Sequence, residues 1–159
     1  MPASPTKLTE TIERELRLLR ELAGDLIACR TAFVGMDLDA MYGYIGKQAS
    51  LCERLKAAGQ ERVQAWNEEF AGRRQPADEK DLRCWIESLE PATGRRVKEL
   101  LTELALAEGE VRNLNRVHTQ FLDGSRRTLN VLANALAIFA PTYAQPSGSK
   151  AAAGSGILP

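Results

Sequence analysis

Apolar residues recur at three- and four-residue steps along most of the chain, the period of an amphipathic helix. The first run opens at Ser4-Pro5, which reads as an N-cap followed by proline at the first helical position. Leu8, Ile12, Leu16, Leu19, Ala23 and Leu26 then share one face. A second register follows, carried by Val34, Leu38, Met41, Ile45, Cys52 and Leu55, and the stripe shifts near Cys29 to Thr31. Thr6 to about Leu55 is therefore expected to be one long helix, bent if anywhere at that shift. Gly43 and Gly46 weaken it by about 1 kcal/mol each relative to alanine, and could mark a kink or a close contact with another helix. From Gln60 to Phe70 the pattern thins to Val63, Trp66 and Phe70, as a continuation of the same helix would.

Ala71 to Asp78 carries glycine and proline and reads as a connection, with Asp78 as N-cap of a short helix. Leu82, Trp85, Ile86 and Leu89 give that helix a clean apolar face, and Pro91 ends it and starts the next. The last helix has the strongest pattern. Val97, Leu101, Leu104, Glu108, Val111, Asn115, His118, Leu122, Ser125, Leu129, Leu132, Leu136 and Phe139 alternate four and three apart without a break. Leu100, Leu114 and Phe121 widen the stripe. This is a coiled-coil seam. It predicts a helix of roughly 48 residues, about 70 Å long. Gly109 and Gly124 lie inside it without disturbing the register. Glu108, Asn115, His118 and Ser125 would form a polar layer that costs stability and can fix register.

The fold expected is all-α: long antiparallel helices, as a coiled-coil-like hairpin or bundle, with a short connecting helix. Residues 1–140 make one helical domain. Residues 141–159, rich in Pro, Gly, Ser and Ala, make a flexible tail. Trp66 and Trp85 would cover one end of the helices, and self-association could cover remaining apolar flanks.

Charge and candidate chemistry narrow the function. Lys plus Arg and Asp plus Glu both number 21, which argues against a general nucleic-acid binder. Arg112, Arg116, Arg126 and Arg127 read as a solvated or acid-pairing face. Cys29, Cys52 and Cys84 are too scattered for a metal knuckle or redox pair and read as apolar filler in a reducing compartment. Asp37 and Asp39 read as solvated acids. The one histidine, His118, has neither an activated nucleophile nor enough co-ligands at helical spacing. No catalytic residue, cofactor site or metal site is expected. Charges follow the N-terminus at once, and no apolar run approaches the ~20 residues of a membrane span. A cytoplasmic protein with no membrane insertion is expected.

Thr128 to Tyr143 is the most informative stretch, with no charged residue. Leu129, Val131, Leu132, Ala133, Leu136, Ala137, Ile138 and Phe139 cover most of the helix circumference, which requires burial on most sides. Two readings stand: ordinary core, or a docking surface for a helix of another protein.

The second half, EVRNLNRVHTQFLDGSRRTLNVLANALAIFAPTYAQPSG, resembles the FlgN family of flagellar type III export chaperones. It shares the long last helix with an asparagine-containing segment (Asn113, Asn115), the leucine-rich stretch after it, and a tyrosine with a glycine shortly beyond (Tyr143, Gly148). The first helix is similar too, with Asp37 and Leu38 near its middle and KQASLCERL after them. The resemblance covers roughly residues 8 to 148. It implies a cytoplasmic chaperone, without enzymatic activity, that binds the C-terminal helical regions of hook-associated (hook–filament junction) proteins. Such a chaperone prevents premature assembly and delivers its clients to the flagellar export apparatus. By the resemblance, Leu129, Leu132, Leu136 and Phe139 would bind the client, and Tyr143 is a candidate contact with the export gate. Pro141 just before Tyr143, and Gly43 and Gly46 in the first helix, depart from the family pattern. The alternative is a self-associating structural or adaptor coiled coil with no export role.

Overall fold

A computed structural model describes residues 5–139. The described residues are all-α, with four helices in the order α1 (Thr6–Val34), α2 (Leu38–Glu69), α3 (Glu79–Ser88) and α4 (Pro91–Phe139). It divides into two compact units, one up to His118 and one from Thr119 onward, described in turn.

In the first unit the expected single long helix is two helices. The chain reverses at Gly35–Asp37. Gly35 N–H donates to Thr31 O, Met36 N–H to Phe33 O, and Asp37 N–H to Ala32 O. This is a Schellman closure, which satisfies the last carbonyls of α1. Asp37 then caps α2, its side chain accepting from Ala40 N–H at 3.0 Å. Asp37 is exposed, as read, and it also caps α2. At the other end of α1, Pro5 occupies the N-cap position rather than the first turn, and Ser4 lies outside the described residues.

The reversal sets the register of everything after it. On α1 the expected stripe Leu8, Ile12, Leu16, Leu19, Ala23 and Leu26 is buried, joined by Leu18, Leu22 and Cys29 because α1 has a neighbour on two sides. On α2 the buried positions are Met41, Leu51, Ala58 and Ala65, the last three spaced by sevens, while Val34, Leu38, Ile45 and Cys52 are exposed. Most of the second register inferred from the sequence therefore faces outward. Gly43 and Gly46 make no close helix contact: an added Cβ would meet nothing within 4 Å, and α2 runs unbroken through both.

Ion pairs fix the helix directions. Lys7 pairs with Glu68, Arg14 with Glu61, and Lys47 with Asp25, so α2 runs antiparallel to α1. Arg96 pairs with Glu13 and Arg20 with Glu103, both at 2.7 Å, so α4 runs parallel to α1 and antiparallel to α2. The core between these helices has two parts. Leu8, Ile12, Leu16 and Leu19 pack with Ala65, Leu100, Leu104 and Ala107. Leu18, Leu22 and Leu26 pack with Leu51 and Ala58.

The α4 seam also differs by one position per heptad. Val97, Leu100, Leu104 and Ala107 are buried, followed by half-buried Val111, Leu114 and His118. Leu101 and Glu108 are only half-buried and Asn115 is exposed. Both registers carry apolar residues at their start, and the neighbours of α4 choose the one through Leu100. Of the expected polar layer, Glu108 and Asn115 therefore fall off the stripe, while His118 stays on it.

The connection holds as read. Asp78 caps α3, accepting from Asp81 N–H at 2.7 Å, and Asp81 reaches back to accept from Ala77 N–H at 3.2 Å. Trp66, Phe70 and Trp85 pack in tilted and edge-on contacts with ring centroids 4.8 to 5.7 Å apart and close that end of the core. Of the cysteines, Cys29 alone is buried filler, and burial pushes its thiol pKa up; Cys52 and Cys84 are exposed.

In the second unit the described residues, from Thr119 to Phe139, are helical and belong to α4, which passes through Gly124 without interruption. Ser125 and Thr128 turn their hydroxyls back to Phe121 O and Gly124 O. The expected tail, 141–159, lies outside the described residues.

Candidate docking surface

Within α4, residues 126–136 carry exposed side chains at every position. Leu129 is 65% exposed, Leu132 53% and Leu136 68%, and Val131 is equally open. The three leucines stand three and four apart, so they share one helix face. From Thr128 onward the segment is uncharged and leucine-rich, yet among the described residues it is not core. Arg126 and Arg127 precede it, and no charged residue follows them before Phe139. Phe139 is the last residue of α4, and its side chain, like all of Tyr143, lies outside the described residues.

Such a surface can do one thing chemically. It can lose water by receiving an apolar partner, at about 25 cal/mol per Å² of apolar area covered. The periodicity of its leucines suits a helix as that partner. Among the described residues no three His, Cys, Asp or Glu side chains gather as metal ligands. His118 lies on the buried stripe of the first unit, with its Nδ1 buried and without a partner among the described residues.

Two further apolar surfaces were not read from the sequence. One surrounds the α1–α2 reversal, where Val34, Met36, Leu38 and Tyr42 are exposed. The expected continuous helix had placed Val34 and Leu38 on its apolar stripe. The other is a groove of about 840 Å³ between α3 and α4, floored by Leu82, Ile86, Leu101, Ala105 and Leu106. The sequence pattern assigns Leu101 of this floor to the seam and Leu106 to no stripe.

Residues 1–138 match the family described as FlgN protein. The chain belongs to the FlgN family. That family is one of flagellar export chaperones, not of enzymes, and the match runs from the first residues through nearly all of α4. The architecture agrees in kind, being helical throughout its regular elements, and no described helix is long and apolar enough to cross a membrane. No curated protein and no solved structure matches the chain. The family match and the exposed leucines of α4 are thus different observations, one on the sequence of residues 1–138 and one on the exposure of side chains within it.

Proposed function

We propose that this chain is a cytoplasmic chaperone for hook-associated proteins of the hook–filament junction. It binds their C-terminal helical region, holds them back from premature assembly and delivers them to the export gate. Leu129, Leu132, Leu136 and Phe139 receive the client, and Tyr143 contacts the gate. Membership of the FlgN family supports the general role. The observation that carries the site is the exposed, uncharged leucine face of α4. A solvated helix with that face is stable only at the cost of wetting it, and an amphipathic client helix removes the cost.

Calorimetric titration with purified junction proteins tests this. Saturable binding near one to one is expected, lost on truncation at about Gly124. Leu132→Asp with Leu136→Asp should abolish it with helicity intact, since neither side chain is buried. Absence of binding to any junction protein by a folded sample would sink the reading. A tight oligomer that no client reverses would favour the structural adaptor instead.

A further inference from the structure

The leucine face of α4 repeats, in register, a face that the first unit covers with helices. At about 100° per residue, Leu129, Leu132 and Leu136 fall within about 60° of one another round α4. Val111, Leu114 and His118 precede them by about five turns each and hold the same angular positions. Val111 and Leu114 pack against the core that α1 and α2 build, and all three residues are half-buried. What covers this angular position in the first unit is helix. Its repeat in the second unit is open, with Leu129, Leu132 and Leu136 each more than half exposed. The surface therefore fits a helix laid along it.

Few charges surround that face. Asp123, Arg126 and Arg127 are the charged residues among those described in the second unit. All three are exposed, and none enters an ion pair among the described residues. Measured round the helix from Leu129, on the side away from Leu132, Arg126 lies at about 60°, Asp123 at about 120° and Arg127 at about 160°. Arg126 therefore borders the leucine face, while Asp123 and Arg127 lie on the back of the helix. Among the described residues no acid borders the face to balance Arg126.

We infer that Arg126 reads the charge of the incoming helix: the client's amphipathic helix carries a carboxylate on the flank that meets this guanidinium. The inference rests on the chaperone reading and adds to it the charge pattern of the client. A carboxylate there accepts a charge-assisted hydrogen bond at the rim of a patch from which the leucines exclude water. A lysine or arginine there is repelled, and a neutral side chain leaves Arg126 solvated. Arg126 thus discriminates among helices whose apolar faces fit equally well. Arg127, of the same charge and next in sequence, takes no part.

Calorimetric titration of the full chain with a purified junction protein tests it, comparing wild type, Arg126→Glu and Arg127→Glu. Both variants sit at exposed positions and make the same change of charge, and circular dichroism checks that each stays helical. Arg126→Glu is expected to bind roughly tenfold more weakly or worse, and Arg127→Glu within about twofold of wild type. Added salt should weaken wild type more than Arg126→Ala, which has no pair to screen. Changing the acidic residues of the client's helical region to lysine, one at a time, should find one that restores binding to Arg126→Glu. Equal loss in the two variants would mean that net charge attracts the client without a local pair. No loss in either, or no lysine change that rescues, would mean that Arg126 meets no carboxylate. Each of these results overturns the inference while the client still binds, so the chaperone reading survives it. A wild type that binds no junction protein fails that reading first, and the inference falls with it.

Discussion

Met36 shows how one residue can hide a fold boundary. It adopts φ 58°, the left-handed region, at the C′ position of the Schellman closure where glycine is usual. The neighbouring glycine, Gly35, sits at φ −78°, where any residue fits. The sequence thus displays a glycine one position before the place that needs it, and the positive φ falls on an apolar methionine that gives no turn signal. Met36 is 78% exposed, so its side chain contributes little packing. Met36→Gly should stabilise the protein by up to about 1 kcal/mol, the relief of left-handed strain less the glycine's added unfolded-state entropy. Urea denaturation monitored by circular dichroism measures it. A clear loss of stability would mean that the methionine packs at the reversal after all.

At the scale of helices, periodicity specified the kinds of element better than their partners. The stripe of α1, the cap of α3, the role of Pro91 and the length of α4 were all legible, because each follows from local spacing or local capping chemistry. What failed was continuity across residues 35–37. Val34, Leu38, Ile45 and Cys52 fit a helical period but lie outside the core, since α2 turns Met41, Leu51, Ala58 and Ala65 inward instead. Small residues such as Ala58 and Ala65 carry a weak hydrophobic signal, yet they are what α1 packs against. The α4 seam failed in the same way, Leu100 and Leu101 being equal in sequence and unequal in burial. The exposed leucines near the end of α4 were legible as a set, but sequence left core and docking surface both open. Packing at the α3–α4 junction was hidden as well. A Cβ on Gly94 would lie 2.7 Å from Ile86 O, a backbone atom, where the end of α3 meets the start of α4. Gly94→Ala should therefore cost about 1–3 kcal/mol by forcing the two helices apart. It should also shift tryptophan fluorescence, because Trp85 of α3 packs on Trp66. Equal stability and an unchanged spectrum would show that α3 tolerates the displacement.

The polar contacts of the first unit are unequal across the whole bundle, and one residue ties three helices together. Arg62 on α2 pairs with Glu15 on α1 and, at 3.9 Å, with Glu108 on α4. Glu15 is the demanding partner: its side chain is only 8% exposed, while Arg62 keeps 30% of its surface in water. Removing the guanidinium leaves a nearly buried carboxylate without its counter-charge, and that loss is larger than the net worth of the pair. Arg62→Met preserves the apolar stem and removes the charge. It should cost about 2–3 kcal/mol, below the full penalty for a wholly buried pair because Arg62 is partly solvated. Glu15→Gln in the same chain should return most of that loss, since no charge then remains to be compensated. Lys7→Ala, at the exposed pair with Glu68, should change stability by less than about 1 kcal/mol, because that lysine is 62% exposed. Denaturant midpoints of Arg62→Met, Glu15→Gln and the double variant form a cycle that isolates the coupling, with Lys7→Ala as the exposed reference. If Arg62→Met proved as mild as Lys7→Ala, Glu15 would have to reach water on its own, and the three-helix tie would contribute geometry without holding the bundle together.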